Sequence, residues 1–185
     1  DEMLKRKYTN CINFEHTIFL SEKHIDYMLK LCGFKILEKQ YFQDDHSIFY
    51  ATKKTNEQIK YESVPNLYQK HKIMFHSFIQ FYLELIKKLN KRIQLHDGPV
   101  YLFGGHIFSQ YLLRFGLDES KIECILDNDP NKQGKRLSGS SLIVNDPKIL
   151  IGKQNSAIIL KVGVYANEIK DDIYKNINSN VIFWD

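Results

Sequence analysis

Two places in the sequence combine residue types that can do chemistry. The first is Gly104-Gly105-His106, directly after the apolar run Val100-Tyr101-Leu102-Phe103. Glycines at a strand-to-helix turn let backbone amides approach a ligand closely. The start of the following helix carries a partial positive charge suited to an anion. Asp127 lies about twenty residues further on, at the end of the next apolar run, where dinucleotide folds place a carboxylate for a ribose. The full G-x-G-x-x-G fingerprint is absent, because His106 and Ser109 stand at its second and third glycine positions. The pattern points to a Rossmann-like crevice with Gly104, Gly105, His106 and Asp127 as candidate substrate-binding residues. A plain tight turn between strand and helix is the competing account.

The second place is Glu15-His16. A histidine titrates near neutrality and a neighbouring carboxylate raises its pKa, so the pair could serve general acid–base catalysis. Adjacent residues on a strand point to opposite faces, which weighs against a working pair. His24, His46 and His96 show no partner pattern and read as surface residues; His71 and His76 read as partly exposed residues of a helix. Cys11, Cys32 and Cys124 are odd in number and widely spaced, which fits neither a disulfide framework nor a zinc ribbon. No metal site is expected, and a reducing cytoplasm is the expected compartment.

Candidate chemistry needs elements to hold it, and the chain reads as three segments. Residues 1–54 begin with a charged stretch that has no apolar core behind it, so it is not a secretion signal. Ser21 is placed to cap a helix over Glu22 to Leu31, and Gly33 to stop it. Phe34 to Phe42 and Ser47 to Thr52 read as an antiparallel hairpin, with Phe34, Ile36 and Leu37 inward and Gln43-Asp44-Asp45 as its turn. Residues 55–96 hold one long helix capped by Asn66. Apolar residues recur from Leu67 to Ile93 with a period near 3.6, in a stripe broad enough to pack on more than one side. Residues 97–185 alternate strands and helices. Strands are expected at Val100–Phe103, Lys121–Leu126, near Leu142–Val144, at Ala157–Val162 and at Val181–Trp184. Helices are expected at Ile107–Phe115, Asp146–Ile151 and Ala166–Ile177. That alternation implies βαβ units and a parallel sheet with right-handed crossovers.

Composition narrows the function classes. The 185 residues are 43% hydrophobic and 26% charged, an ordinary globular balance. Lysine and arginine number 26 against 22 acidic residues, a net charge of +4. The excess is scattered lysine rather than one basic face, so a nucleic-acid partner is not expected. No apolar run reaches the roughly 20 residues that cross a bilayer, so no membrane partner is expected.

Taken together, these residues resemble the C-terminal part of bacterial SAM-dependent C-methyltransferases that act on nucleotide-linked sugars, the deoxysugar 3-C-methyltransferase family. Two stretches carry the likeness. One is Phe14-Glu15-His16 with Phe19-Leu20-Ser21, then Leu31-Cys32-Gly33-Phe34; the family pattern is Tyr-x-Glu-His, an aromatic stretch ending in Ser, and a helix closed by Gly-Phe. The other, more specific, is Gly104-Gly105 after a strand, then Ile125-Leu126-Asp127-Asn128-Asp129-Pro130-Asn131-Lys132-Gln133-Gly134-Lys135 and Ser138-Gly139. The likeness runs from about Asn13 to the end.

The resemblance implies a fold: residues 1–54 as the helix-plus-hairpin tail of a class I methyltransferase domain, a bridging helix over 55–96, and a Rossmann-like domain over 97–185. It implies a nucleotide-linked sugar as substrate, SAM as methyl donor of the parent enzyme, and a role in polysaccharide biosynthesis. Through the resemblance Lys132, in the loop after Asp127, joins the candidate substrate-binding residues. It also implies that His16, beside Glu15, deprotonates the sugar carbon next to a keto group. Two departures stand out. Asn13 occupies the position of the family tyrosine, and no glycine-rich SAM loop precedes it. The chain is therefore expected to be a remnant or shortened form that neither binds SAM nor methylates. Two other readings stand beside this one: a non-catalytic module that binds a nucleotide sugar or similar anion, and a domain that forms a homodimer through its long helix.

Overall fold

The structure, a computed structural model, describes every residue except 10, 11, 14, 43–46 and 57–62. The chain divides into two units, Asp1–Phe78 and Ile79–Asp185.

The first unit opens with a short helix, α1 (Glu2–Lys5), which no motif in the sequence announces. Arg6 and Lys5 both reach back to Glu2, at 3.1 and 3.4 Å. Helix α2 (Glu22–Leu31) starts as expected: Ser21 sits extended before it and its Oγ accepts the His24 N–H. Gly33 follows its end at φ +77°. Strands β1 (Phe34–Phe42) and β2 (Ser47–Lys54) pair antiparallel, and α2 lies against β1. Lys39 on β1 fastens the two, donating to Glu22 at 2.7 Å and Asp26 at 2.6 Å. Those carboxylates hold the Lys39 ammonium well above its usual pKa. The Tyr50 hydroxyl opposite Lys39 is pushed up to about 12, chiefly by burial.

Leu37 corrects the expected inward set, since it is 60% exposed while Phe34 and Ile36 are half-buried. The register shifts between Ile36 and Glu38, leaving Leu37 as the extra residue of a bulge, and a bulge re-aims its side chain. The expected turn at Gln43-Asp44-Asp45, together with His46, Cys11 and Phe14, lies outside the described residues.

The long helix, α3 (Tyr68–Leu95), begins where Asn66 Oδ1 accepts the Tyr68 N–H at 3.2 Å. Its buried stripe is narrower than the periodicity predicts. Phe78, Tyr82, Ile86, Leu89 and Ile93 are buried, whereas Ile73 and Phe75 are exposed. Spacings of four and three place the buried five on one face, so α3 packs along a single side.

The second unit is a parallel sheet with helices. Its strands are β3 (Val100–Phe103), β4 (Ile122–Leu126), β5 (Val144–Asn145), β6 (Ala157–Leu160) and β7 (Ile182–Trp184), in the order β5-β4-β3-β6-β7. Every pairing is parallel, so the unit is Rossmann-like α/β. Helix α4 (Ile107–Arg114) follows β3 and α5 (Ala166–Asp172) follows β6. Three elements differ from expectation. The helix expected at Asp146–Ile151 is one 3-10 turn, Pro147–Leu150, capped by Asp146. The strand expected near Leu142 shifts to Val144–Asn145. Residues Ile173–Ile177 form a π turn after α5, where the Asn178 N–H reaches back to Ile173 O at 2.8 Å.

One face of the sheet packs Tyr101, Phe103, Leu126, Ile158 and Leu160 with Ile173 and Val181. Alternation turns Val100, Leu102, Ala157 and Ile159 to the other face, and all four are buried. Helix α3 joins α4 through Tyr82, which stacks on Phe115 at 5.0 Å. Asn90 clamps the same corner, donating to Gly116 O and accepting from the Asp118 N–H, both at 2.9 Å. Among the described residues no helix is long and apolar enough to cross a membrane.

Candidate functional site

The strand order sets where a ligand can enter. From β3 the chain proceeds to β4 and β5 on one side, then returns to β6 and β7 on the other. In open parallel sheets, ligands bind outside the carboxyl ends of the strands at such a reversal. Here that crevice lies beyond Phe103 of β3 and Leu160 of β6, which are register partners.

On the β3 side the chain turns at Gly104, whose φ of +103° favours a residue without Cβ. Its N–H donates to Leu126 O at 2.7 Å, and Ser109 Oγ donates to its carbonyl at 2.5 Å. Gly105 is needed for room. A Cβ there would meet Val144 at 3.1 Å, the Asp127 carboxylate at 3.3 Å and the Lys132 stem at 3.4 Å.

Asp127 organises the loop that follows β4. Its Oδ2 accepts the Gly105 N–H at 2.7 Å and the Lys132 ammonium at 3.0 Å, and its Oδ1 accepts the Asp129 N–H at 2.9 Å. Its backbone carbonyl accepts from the Gln133 side chain at 3.0 Å. Asp129 repeats the device one step on, accepting from Asn131 N–H at 2.9 Å, which holds its carboxyl below the usual range. The loop is thus folded around two carboxylates by short-range bonds that Asp and Asn readily make. Asp127 is buried, and both oxygens are engaged.

His106 stands beside this network. Burial lowers its pKa first, the Lys132 charge lowers it further, and Asp127 opposes both. The neutral ring is therefore favoured. The predicted Gly104, Gly105, His106, Asp127 and Lys132 are brought together in one turn-and-loop assembly.

Across the crevice is a residue that no motif marks. Lys161 follows β6 directly, and Ile158, Leu160 and Val162 pack into the core on one face. Alternation turns Lys161 to the other face, where its ammonium lies 5.3 Å from the centre of the Phe81 ring. Burial lowers its pKa. The only signal in the sequence is a lysine ending an apolar run; its importance depends on strand order.

The other candidates, Glu15 and His16, belong to the first unit and are exposed. Asn13 Oδ1 accepts the Glu15 N–H at 3.0 Å and lies 2.8 Å from His16 Nδ1. An oxygen that already accepts from a backbone amide requires a donor on the ring, so Nδ1 carries the proton. Nε2 is then the basic nitrogen. The Glu15 carboxylate makes no described contact with the ring.

Two histidines expected to be plain surface residues prove to be tethers. His24 Nδ1 is hydrogen-bonded to Ser21 Oγ at 2.7 Å, and its Nε2 donates to Pro65 O at 3.2 Å. His96 donates to Asn155 O at 2.9 Å and packs edge-on against Trp184. The Pro65 and Asn155 carbonyls lie far away in sequence, which is why spacing does not reveal them. His71 is half-buried against Asp1 at 2.7 Å.

A second concavity, about 580 Å3 and open to solvent, runs along α4 between Tyr111, Arg114, Glu119 and Gly139. Glu119 is held there by Ser140 at 2.8 Å. Among the described residues no cluster of His, Cys, Asp or Glu could hold a metal ion. No family model matches the sequence, and no curated protein matches it significantly.

Proposed function

We propose that this chain handles the sugar-nucleotide side of a SAM-dependent C-methyltransferase, as the resemblance to the deoxysugar 3-C-methyltransferases implies. One observation carries the reading. The Asp127 to Lys135 stretch, the most specific part of the resemblance, folds onto the Gly104-Gly105 turn at the sheet's reversal point.

In this reading SAM is not assigned to these residues. Three of the roughly four acceptor positions of the Asp127 carboxylate already take Gly105, Lys132 and Asp129, which leaves little of it for ribose hydroxyls. No step of methyl transfer is assigned to this chain. In this reading its own contribution is substrate binding and, through His16 Nε2, removal of the proton beside a sugar keto group.

Isothermal titration of the chain with uridine and thymidine diphosphate sugars and with SAM tests the assignment. Binding of a diphosphate sugar without binding of SAM is expected. Tight SAM binding, or indifference to every diphosphate sugar, overturns it. Deuterium uptake next to the keto group of a keto-sugar nucleotide in heavy water reads His16 separately. Uptake that survives His16→Ala removes that residue from the mechanism.

Dimerisation through α3 is the second reading, favoured by one observation: Ile73 is 69% exposed and Phe75 50% exposed on a helix. Sedimentation equilibrium across a range of concentrations decides it, and a monomer throughout refutes it.

A further inference from the structure

We propose that Lys161 is the anion-pairing residue of the crevice, and that the group it receives is the diphosphate of a ligand lying across the carboxyl ends of β3 and β6. The inference deepens the proposed function and rests on that reading for the ligand's identity. The position of the charge comes from the fold.

The two banks of the crevice differ electrostatically. On the β4 side, Lys132 is neutralised by Asp127 at 3.0 Å, and His106 favours its neutral form. The Gly104 and Gly105 amides are engaged by Leu126 O and Asp127. The two glycine amides are taken and the Lys132 charge is paired, and an incoming anion would also meet the Asp127 carboxylate. On the β6 side, Lys161 has no ion pair among the described residues. Asp185, whose field reaches it, is itself paired with Lys170 at 2.5 Å.

Register supports the placement. Phe103 pairs with Leu160, so Gly104 and Lys161 are the next residues on neighbouring strands. The glycine turn and the lysine therefore border the same opening. Phe81 beneath the ammonium offers a ring face, which attracts the cation without neutralising it. Half-burial of an unpaired ammonium is unfavourable, and burial lowers its pKa accordingly. A bound dianion removes that penalty, which is a physical reason for a ligand to seat there.

Inorganic pyrophosphate is the probe, followed by amide NMR of the 185-residue chain. Shifts at Gly104, Lys161, Val162 and Gly163 are expected, with an upward move of the Lys161 pKa read at its side-chain carbon. Lys161→Met keeps the packing on Phe81 and should weaken binding about tenfold or more, as loss of a charge-assisted bond does. Lys161→Arg should retain most of it. Equal pyrophosphate affinity in Lys161→Met, or shifts confined to residues 128–135, overturns the inference. Should Lys161→Met fail to fold, a Lys161 pKa that pyrophosphate leaves unmoved in the parent chain overturns it equally. Diphosphate-sugar binding that ignores Lys161→Met defeats this inference alone. Pyrophosphate binding through Lys161 without any diphosphate-sugar binding defeats the proposed function alone.

Discussion

The Asp127 carboxylate accepts the Gly105 backbone N–H at 2.7 Å, joining the loop after β4 to the turn after β3. The pair are 22 residues apart in sequence. They show how the site is braced: a fixed negative charge occupies the position that a glycine turn would otherwise offer to a ligand. Removing it frees two amides and one ammonium at once. Asp127→Ala is expected to cost about 2–4 kcal/mol, because buried donors lose a charged acceptor. Asp127→Asn, which still accepts, should cost less. Urea denaturation measures both, and equal stability of Asp127→Ala and the parent chain would refute the bracing role.

His106 should titrate below its ordinary 6.5, since burial and Lys132 both disfavour its charged form. The folded state then binds fewer protons than the unfolded state below that pH. Stability from this group is intact above about 6.5 and declines as pH falls from there towards the lowered value. Lys132→Met should raise the His106 midpoint, and Asp127→Asn should lower it. Proton NMR of the ring reads all three, and an unchanged midpoint in Lys132→Met would remove Lys132 as a cause.

Leu37 and Ile36 should respond oppositely to polar replacement. Leu37→Lys on the bulge is expected to change stability by less than about 0.5 kcal/mol, as exposed substitutions do. Ile36→Lys, at a half-buried position, should cost about 1–3 kcal/mol. A thermal melt that ranks them the other way would refute the bulge.

Tyr82 is almost wholly buried and stacks on Phe115 where α3 meets α4. Tyr82→Ala should cost about 3–5 kcal/mol, the range for deleting a large aromatic side chain from a packed core. Chemical denaturation that finds less than about 1 kcal/mol would show the corner collapsing without penalty.

Much of the frame is legible along the chain because its signals are local. Ser21 before α2, Gly33 after it, Asn66 at the start of α3 and Gly104-Gly105 after β3 each act within a few residues. The Asp127 loop is legible for the same reason, since Asp and Asn bond to amides two positions on. What escapes is whatever depends on a distant partner. Leu37 faces outward because of how β1 registers on β2, and no periodicity within β1 reports that. His24 and His96 are tethers only once Pro65 and Asn155 are near. Lys161 gains meaning from the sheet reversing between β3 and β6, which is a property of strand order. The π turn at Ile173 inserts one extra residue per turn, and a 3.6-residue pattern cannot announce its own interruption.

The sheet's middle strand is also the earliest of its five to be synthesised. During translation one flank can assemble as soon as β4 and β5 emerge, leaving the opposite border of β3 bare. That border waits for Ala157 to Leu160, so β3 keeps an unpaired edge until β6 joins it. A ribosome pausing in between would hold a half-built sheet whose sticky edge is the future floor of the crevice.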